Sequence, residues 1–164
     1  METPKPISRD ADGLLSLDVW NRSLDRLYRK SDQLYHDIAL DCGISETGYW
    51  LMYAIYVHDG VVSVRDVAEE CCYPKQTISS ALRMLESRGL VETSFLEGSR
   101  KAKRVSFTQA GRAFVAEKIV PASRAERRAF NVLTQGEQTE MLRLVDKYVT
   151  AIQEQIDAMR GVAK

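Results

Sequence analysis

Six polar residues within one short stretch, Lys75, Gln76, Thr77, Ser79, Ser80 and Arg83, carry the chemistry needed to read a nucleic-acid groove. Lysine and glutamine donate to base edges, and threonine and serine hydroxyls reach bases or phosphates. The first turn of the helix they open would present unpaired amides and a positive dipole end to a phosphate. Arg83, one or two turns further on, suits a phosphate or a groove edge. Taken singly, small polar residues in a first turn fit equally well a helix that is only capped and solvated. A second cluster, Arg100, Lys101 and Lys103, falls in the polar stretch Glu97 to Lys103. Two short β-favouring runs flank that stretch, Val91 to Leu96 and Arg104 to Thr108, so the sequence predicts a hairpin with a basic tip.

Whole-chain charge hides this pattern. Across 164 residues, 23 Lys and Arg balance 23 Asp and Glu. The stretch Cys71 to Arg112 nevertheless holds eight cations against Glu86, Glu92 and Glu97, a local net of +5 that the remainder offsets with −5. Such asymmetry is expected when one face meets a polyanion and the rest repels it. A basic surface hairpin with no partner would give the same count.

The remaining composition narrows the class. The 45% hydrophobic content is that of an ordinary globular chain, and the sequence contains no apolar run of the 18 or more residues that a membrane span needs. The N-terminus, with acids and two prolines, lacks the apolar core of a signal peptide, so a cytoplasmic protein without a membrane partner is expected. Cys42, Cys71 and Cys72 form no CxxC or Cys/His spacing, which argues against a disulfide framework and a structural metal. No phosphate-binding glycine loop, nucleophile elbow, HExxH or paired-carboxylate pattern is present, so neither an enzyme nor a cofactor is expected.

The elements that must position the polar cluster follow from periodicity. Apolar residues at Leu17, Trp20, Leu24, Leu27, Tyr28, Leu34, Tyr35 and Ile38 predict a long amphipathic helix from Leu14 to about Leu40. Ser45 opens a second helix to about His58, which Asp59-Gly60 closes. Val61-Val62 has the character of a short strand, and Ser63 with Asp66 caps a short helix to about Glu70. After a break at Cys71 to Pro74, Pro74 starts the helix bearing the six polar residues, which the apolar pattern Ile78, Leu82, Met84 and Leu85 carries to a stop at Arg88-Gly89. Beyond the hairpin, Thr108 caps a helix to about Val120, and Pro121 begins or bends the next segment. Thr134 with Glu137 forms a capping box for a last helix whose seam is Met141, Leu144, Val145, Tyr148, Ile152 and Ile156. With Phe130, Leu133 and the first helix, this is more apolar surface than a winged-helix core needs, which suggests an interface; an intramolecular bundle is the competing reading. His36 and His58 stand alone and are expected at the surface or at helix ends.

Helix pair, immediate hairpin, basic tip and helix, in that order, describe a winged helix-turn-helix. Here the chain resembles the MarR family of bacterial winged-helix transcription regulators. The matching residues are Val67-Ala68-Glu69, Lys75-Gln76-Thr77-Ile78, Leu85 to Val91, Arg100-Lys101-Ala102 and Val105 to Arg112. The resemblance implies a mainly α fold with a small β-hairpin wing. It also implies a disordered tail at 1–12, dimerisation helices at 13–45 and 121–164, and a DNA-binding lobe at 46–120. A ligand-responsive homodimer, acting as a repressor on a pseudo-palindromic operator in double-stranded DNA, is the implied function. Lys75, Gln76, Thr77, Ser79, Ser80 and Arg83 would serve the major groove, and Arg100, Lys101 and Lys103 the wing. A small aromatic or lipophilic effector would sit among Trp20, Tyr28, Trp50, Tyr53 and Tyr56, although aromatics at helical spacing also fit an ordinary core. The chain departs from the family pattern at Cys72, where a glycine is usual, and at Ser99, where an acid is common. Some regulators of this family sense oxidants through a thiol, and oxidation of Cys71 or Cys72 would displace the next helix, but with no cation placed beside them these cysteines fit an ordinary buried role better. A winged-helix module that contacts another protein is the rival reading; it has no need of the wing and recognition-helix cations.

Overall fold

The computed structural model describes residues 16–99 and 101–161. The expected tail 1–12, Leu14 and the wing residue Arg100 lie outside them. At the centre stands α2 (Glu46–Val57), a helix apolar on nearly all sides, with Tyr49, Leu51, Met52, Ala54 and Ile55 buried. A helix with so little polar surface must be wrapped. α1 (Leu17–Asp41) packs on it through Ala39 and the Tyr35 ring, whose centroid lies 4.6 Å from that of Trp50. Ser45 accepts from the Gly48 amide at 3.1 Å, fixing where α2 begins as expected.

A short strand, β1 (Val61–Ser63), leads into α3 (Val64–Cys71), whose N-cap Ser63 accepts from the Asp66 amide at 3.0 Å. α4 (Lys75–Ser87) follows, then β2 (Val91–Phe95) and β3 (Lys103–Phe107). Pro74 is the N-cap of α4 rather than its first helical residue. β1 does more than the sequence indicates: it pairs antiparallel with β3, so the hairpin becomes a three-stranded sheet ordered β1-β3-β2, with Val62 opposite Val105 and Thr93 opposite Val105. One face of the sheet buries Val62, Val91, Val105 and Phe107. Ile78, Ala81, Leu82 and Leu85 of α4, with Val67 of α3, complete this core.

The sheet is joined to the next helix, α5 (Gln109–Phe114), by a tight clamp. The Thr108 hydroxyl donates to the Gly89 carbonyl at 2.5 Å and accepts from the Gly111 amide at 3.0 Å, while the Thr108 amide donates to Leu90 O at 3.2 Å. Gly111 is obligatory at this crossing, because a Cβ built there would lie 1.8 Å from the Leu90 carbonyl oxygen. A π turn, Val115–Ile119, follows α5 and buries Val115 and Ile119. The expected helix to Val120 is thus α to Phe114 and π from Val115 to Ile119, and it runs on without a break into the next helix, where Pro121, which cannot donate, comes second.

The chain divides into two units at Ile119/Val120. The second comprises α6 (Val120–Phe130) and α7 (Gln135–Met159). The Thr134–Glu137 capping box is present in both directions, and its hydrogen bonds hold the Glu137 carboxyl below the usual carboxylate range. A lowered carboxyl stabilises the fold above its unfolded value, so this cap weakens only as acid protonates it. Among the described residues, no helix is long and apolar enough to cross a membrane.

The turn between α3 and α4 is built on an αL residue, Cys72, at φ +53° and ψ +22°. That is the conformation a glycine would supply, and for an L-residue it costs about 1–2 kcal/mol. Glycine loses about 0.5–1 kcal/mol more backbone entropy on folding, so Cys72→Gly is expected to stabilise the protein by about 0.5–1 kcal/mol, read as a rise of about 2–4 °C per kcal/mol in thermal midpoint. Gly111→Ala, by contrast, drives a methyl into a carbonyl that cannot retreat. Its expected cost is about 3 kcal/mol, measured as loss of the cooperative denaturant transition or a large fall in its midpoint.

Candidate nucleic-acid interface

α4 divides by face. Ile78, Ala81, Leu82 and Leu85 point into the core, while Lys75, Gln76, Ser79, Ser80 and Arg83 are exposed and Thr77 is half-buried. The structure therefore brings the six polar residues together on one side of one helix. Arg83 Nη2 donates to Ser80 Oγ at 3.3 Å, which orients the guanidinium along that face. An open groove of about 960 Å³ runs along the flank of α4, lined by Gln76, Thr77, Ser80, Met84 and the Gly43–Ser45 loop. Arg88, at the C-cap of α4, anchors this flank by donating to Gly43 O at 2.6 Å.

The start of α4 differs from its neighbours. Ser45, Ser63, Thr108 and Thr134 each cap a helix with a side-chain oxygen, whereas Pro74 offers none, and the first α4 bond runs from the Ile78 amide to Pro74 O. The amides of Lys75, Gln76 and Thr77 are left with neither an intrahelical acceptor nor a capping side chain. Together with the helix dipole, they form a donor cluster suited to a phosphate.

At the wing, Gly98 adopts φ +74° and the Ser99 hydroxyl accepts from the amides of Lys101 at 3.2 Å and Ala102 at 2.8 Å. Ser99 thus closes the turn without adding negative charge, where an acid would partly neutralise the cations beside it. Lys101 and Lys103 are exposed, and Lys103 Nζ lies 5.5 Å from the Phe95 ring centre. Arg104 adds a cation beyond the predicted wing cluster of Arg100, Lys101 and Lys103. It is exposed in β3 opposite Ser63 and Ser94, and its Nε donates to Ser94 Oγ at 3.0 Å. Strand alternation from buried Val105 would have revealed it. Among the described residues, Lys75, Arg83, Lys101, Lys103 and Arg104 enter no ion pair. Glu86 and Glu92 accept instead from Thr93 at 2.6 Å and Ser106 at 3.5 Å.

The aromatic residues separate into two groups. Trp50 and Tyr53 line a cavity of about 310 Å³ with Ala54, Val57, Glu70, Cys71 and Tyr73. Tyr56 reaches it indirectly, its ring 6.4 Å from that of Tyr53. Trp20 and Tyr28 lie on α1 and do not line the cavity. Both histidines are exposed beside carboxylates, His36 at 3.7 Å from Glu46 and His58 at 2.7 Å from Glu70. Burial, then the charges of Glu70 and Cys72, push the Cys71 thiol above its ordinary value, and burial does the same for Cys42. These thiols stay protonated at neutral pH, which counts against Cys71 as an oxidant-sensing nucleophile. Burial, followed by Glu46, likewise pushes the Tyr73 phenol up.

The sequence profile of the MarR family matches residues 43–104, the stretch from the α1–α2 loop to the end of the wing tip. No curated protein is significantly similar in sequence. Among solved structures, a MarR family regulator from Neisseria meningitidis superposes with TM-score 0.67 at 19% identity, covering 83% of this chain and 97% of the other. The MepR–DNA complex of S. aureus gives 0.64 at 17% identity, covering 81% and 97%. Bordetella bronchiseptica BpsR, whose DNA binding is regulated by 6-hydroxynicotinic acid, gives 0.57 at 21% identity, covering 77% and 98%. The chain has the winged-helix fold of these proteins, and its similarity to the MarR family profile spans the helix-turn-helix and the wing.

Proposed function

We propose that this chain is a sequence-specific DNA-binding transcriptional regulator, a repressor that acts in the cytoplasm as a homodimer on a pseudo-palindromic operator. The observation that carries this reading is α4 itself: one face committed to the core, the other made of polar and basic side chains turned to solvent, with a first turn whose amides lack a side-chain cap. In this reading, Lys75, Gln76, Thr77, Ser79 and Ser80 meet base edges and phosphates in the major groove, and Arg83 the groove edge. The wing cations Arg100, Lys101 and Lys103, joined by Arg104, contact flanking phosphates or the minor groove. The same fold sits on DNA in the S. aureus MepR complex.

The dimer is supported by apolar surface in search of cover. On α7, Met141, Leu144, Val145, Tyr148 and Ile152 are exposed at spacings of three and four; on α1, Leu17, Trp20, Leu27 and Leu34 are exposed as well. A stripe of this kind is costly in water and suits a second copy, which would set two recognition helices about 34 Å apart, one turn of DNA. The dimerisation helices are then those of 13–45 and 121–164, and the DNA-binding lobe is 46–120. Ligand response is part of the proposal, with Trp20, Tyr28, Trp50, Tyr53 and Tyr56 as the aromatic positions available to it.

Fluorescence anisotropy of the purified protein on duplex DNA from its own upstream region, against a scrambled duplex, tests this directly. Selective, salt-sensitive binding with two chains per duplex is the expected result; equal weak binding to both would favour a protein-contact module. Gln76→Ala is expected to cost about 1–3 kcal/mol on the selected duplex and little on the scrambled one. Lys101→Ala is expected to weaken both alike and to lower the slope of log K against log salt by about one.

A further inference from the structure

The cavity beneath the turn between α3 and α4 is made wholly from the helix-turn-helix and α2, with no residue from α1 or α5. Trp50, Tyr53 and Tyr73 wall it with their rings, and among the described residues its one charged lining residue is Glu70. Among the described residues, no lysine or arginine lines it. His58 holds Glu70 Oε1 at 2.7 Å from the C-cap of α2, which fixes the carboxylate at the rim. Its volume of about 310 Å³ is at the lower end of the range of small-ligand sites. Ring faces attract cations, and a fixed carboxylate adds charge-assisted hydrogen bonds to an N–H donor. The same carboxylate repels an aromatic acid.

We propose that this cavity binds a small planar aromatic cation, its ring among Trp50, Tyr53 and Tyr73 and its positive N–H group on Glu70, and that occupancy is relayed to α4 through Tyr73. Tyr73 is both a wall of the cavity and the residue before Pro74, the N-cap of α4. A ligand that displaces the Tyr73 ring therefore moves the uncapped first turn of α4, which holds Lys75, Gln76 and Thr77. The site stands on geometry alone; only the relay to DNA rests on the function proposed above.

The probes are benzamidinium, its neutral isostere benzamide, and benzoate, titrated calorimetrically into the full chain. Benzamidinium is expected to bind at least tenfold more tightly than either of the others, and Glu70→Gln to remove that preference. Glu70 is half exposed, so this variant should melt as the parent does. Ala54→Leu, which fills the cavity from its buried side, is expected to abolish binding of all three. Benzoate binding as tightly as benzamidinium, no benzamidinium heat at all, or an undiminished preference in Glu70→Gln would overturn the site. In the anisotropy assay, benzamidinium should release the selected duplex from the parent but not from Glu70→Gln. Binding without release would overturn the relay while the site stands. Absence of DNA binding would remove the relay together with the proposed function, and the calorimetry would still decide the site.

Discussion

Everything proposed for this molecule depends on the seating of one side of α4. Ile78, Leu82 and Leu85 are at most 5% exposed, and each such side chain contributes about 1.5–3 kcal/mol by leaving water. That burial cannot be satisfied with the helix rotated, because a turn of 100° would exchange these side chains for Lys75, Ser79 or Arg83. The polar face is aimed outward as a consequence of where the apolar face must go. α2 makes the seat close: a Cβ at Gly48 would come within 3.8 Å of Leu85 Cδ2 and 3.2 Å of Ser45 Oγ, so the two helices approach where α2 carries no side chain.

The two ends of α4 are held differently. At its C-terminal end, Arg88 is tied to the Gly43 carbonyl and stacks at 5.8 Å on the Phe114 ring, and the Thr108 clamp joins Gly89 and Leu90 to α5. At the N-terminal end the helix enters through Cys72 in the αL region and Tyr73 over a cavity, with no side-chain cap. One end is therefore a fixed point, and the other carries the backbone strain and the free amides. An end of this kind is where a bound anion gains most and where a small displacement has the largest lever on the exposed side chains of α4.

Electrostatics follow the same division. The net charge of the chain is zero, yet Lys75, Arg83, Lys101, Lys103 and Arg104 enter no ion pair among the described residues, while Glu86 and Glu92 accept from threonine and serine. Ser99 performs the turn-closing work of an acid without its charge. Lys103 over Phe95 and Arg104 on Ser94 are oriented by neutral partners, so their full positive charge stays available at the surface.

Local signals in the sequence sufficed for every helix start that a side chain caps, because Ser45, Ser63, Thr108 and Thr134 act on amides three residues away. They sufficed as well for the two faces of α4 and for the basic hairpin, since periodicity and turn chemistry are short-range. Three features lay beyond them. The pairing of β1 with β3 joins residues more than forty positions apart, and nothing in Val61-Val62-Ser63 names its partner. The αL geometry of Cys72 runs against the preference of the residue and is imposed by the packing of both helices around the turn. The aromatic residues shared a helical spacing, but only the fold could bring Glu70, Cys71 and Tyr73 against Trp50 and Tyr53 while leaving Trp20 and Tyr28 elsewhere. The sequence by itself determined the helices, their caps and the chemistry of the outward face of α4, all of which depend on near neighbours. The sheet, the strained turn and the cavity were decided by tertiary structure, because each depends on which distant surfaces must be buried together.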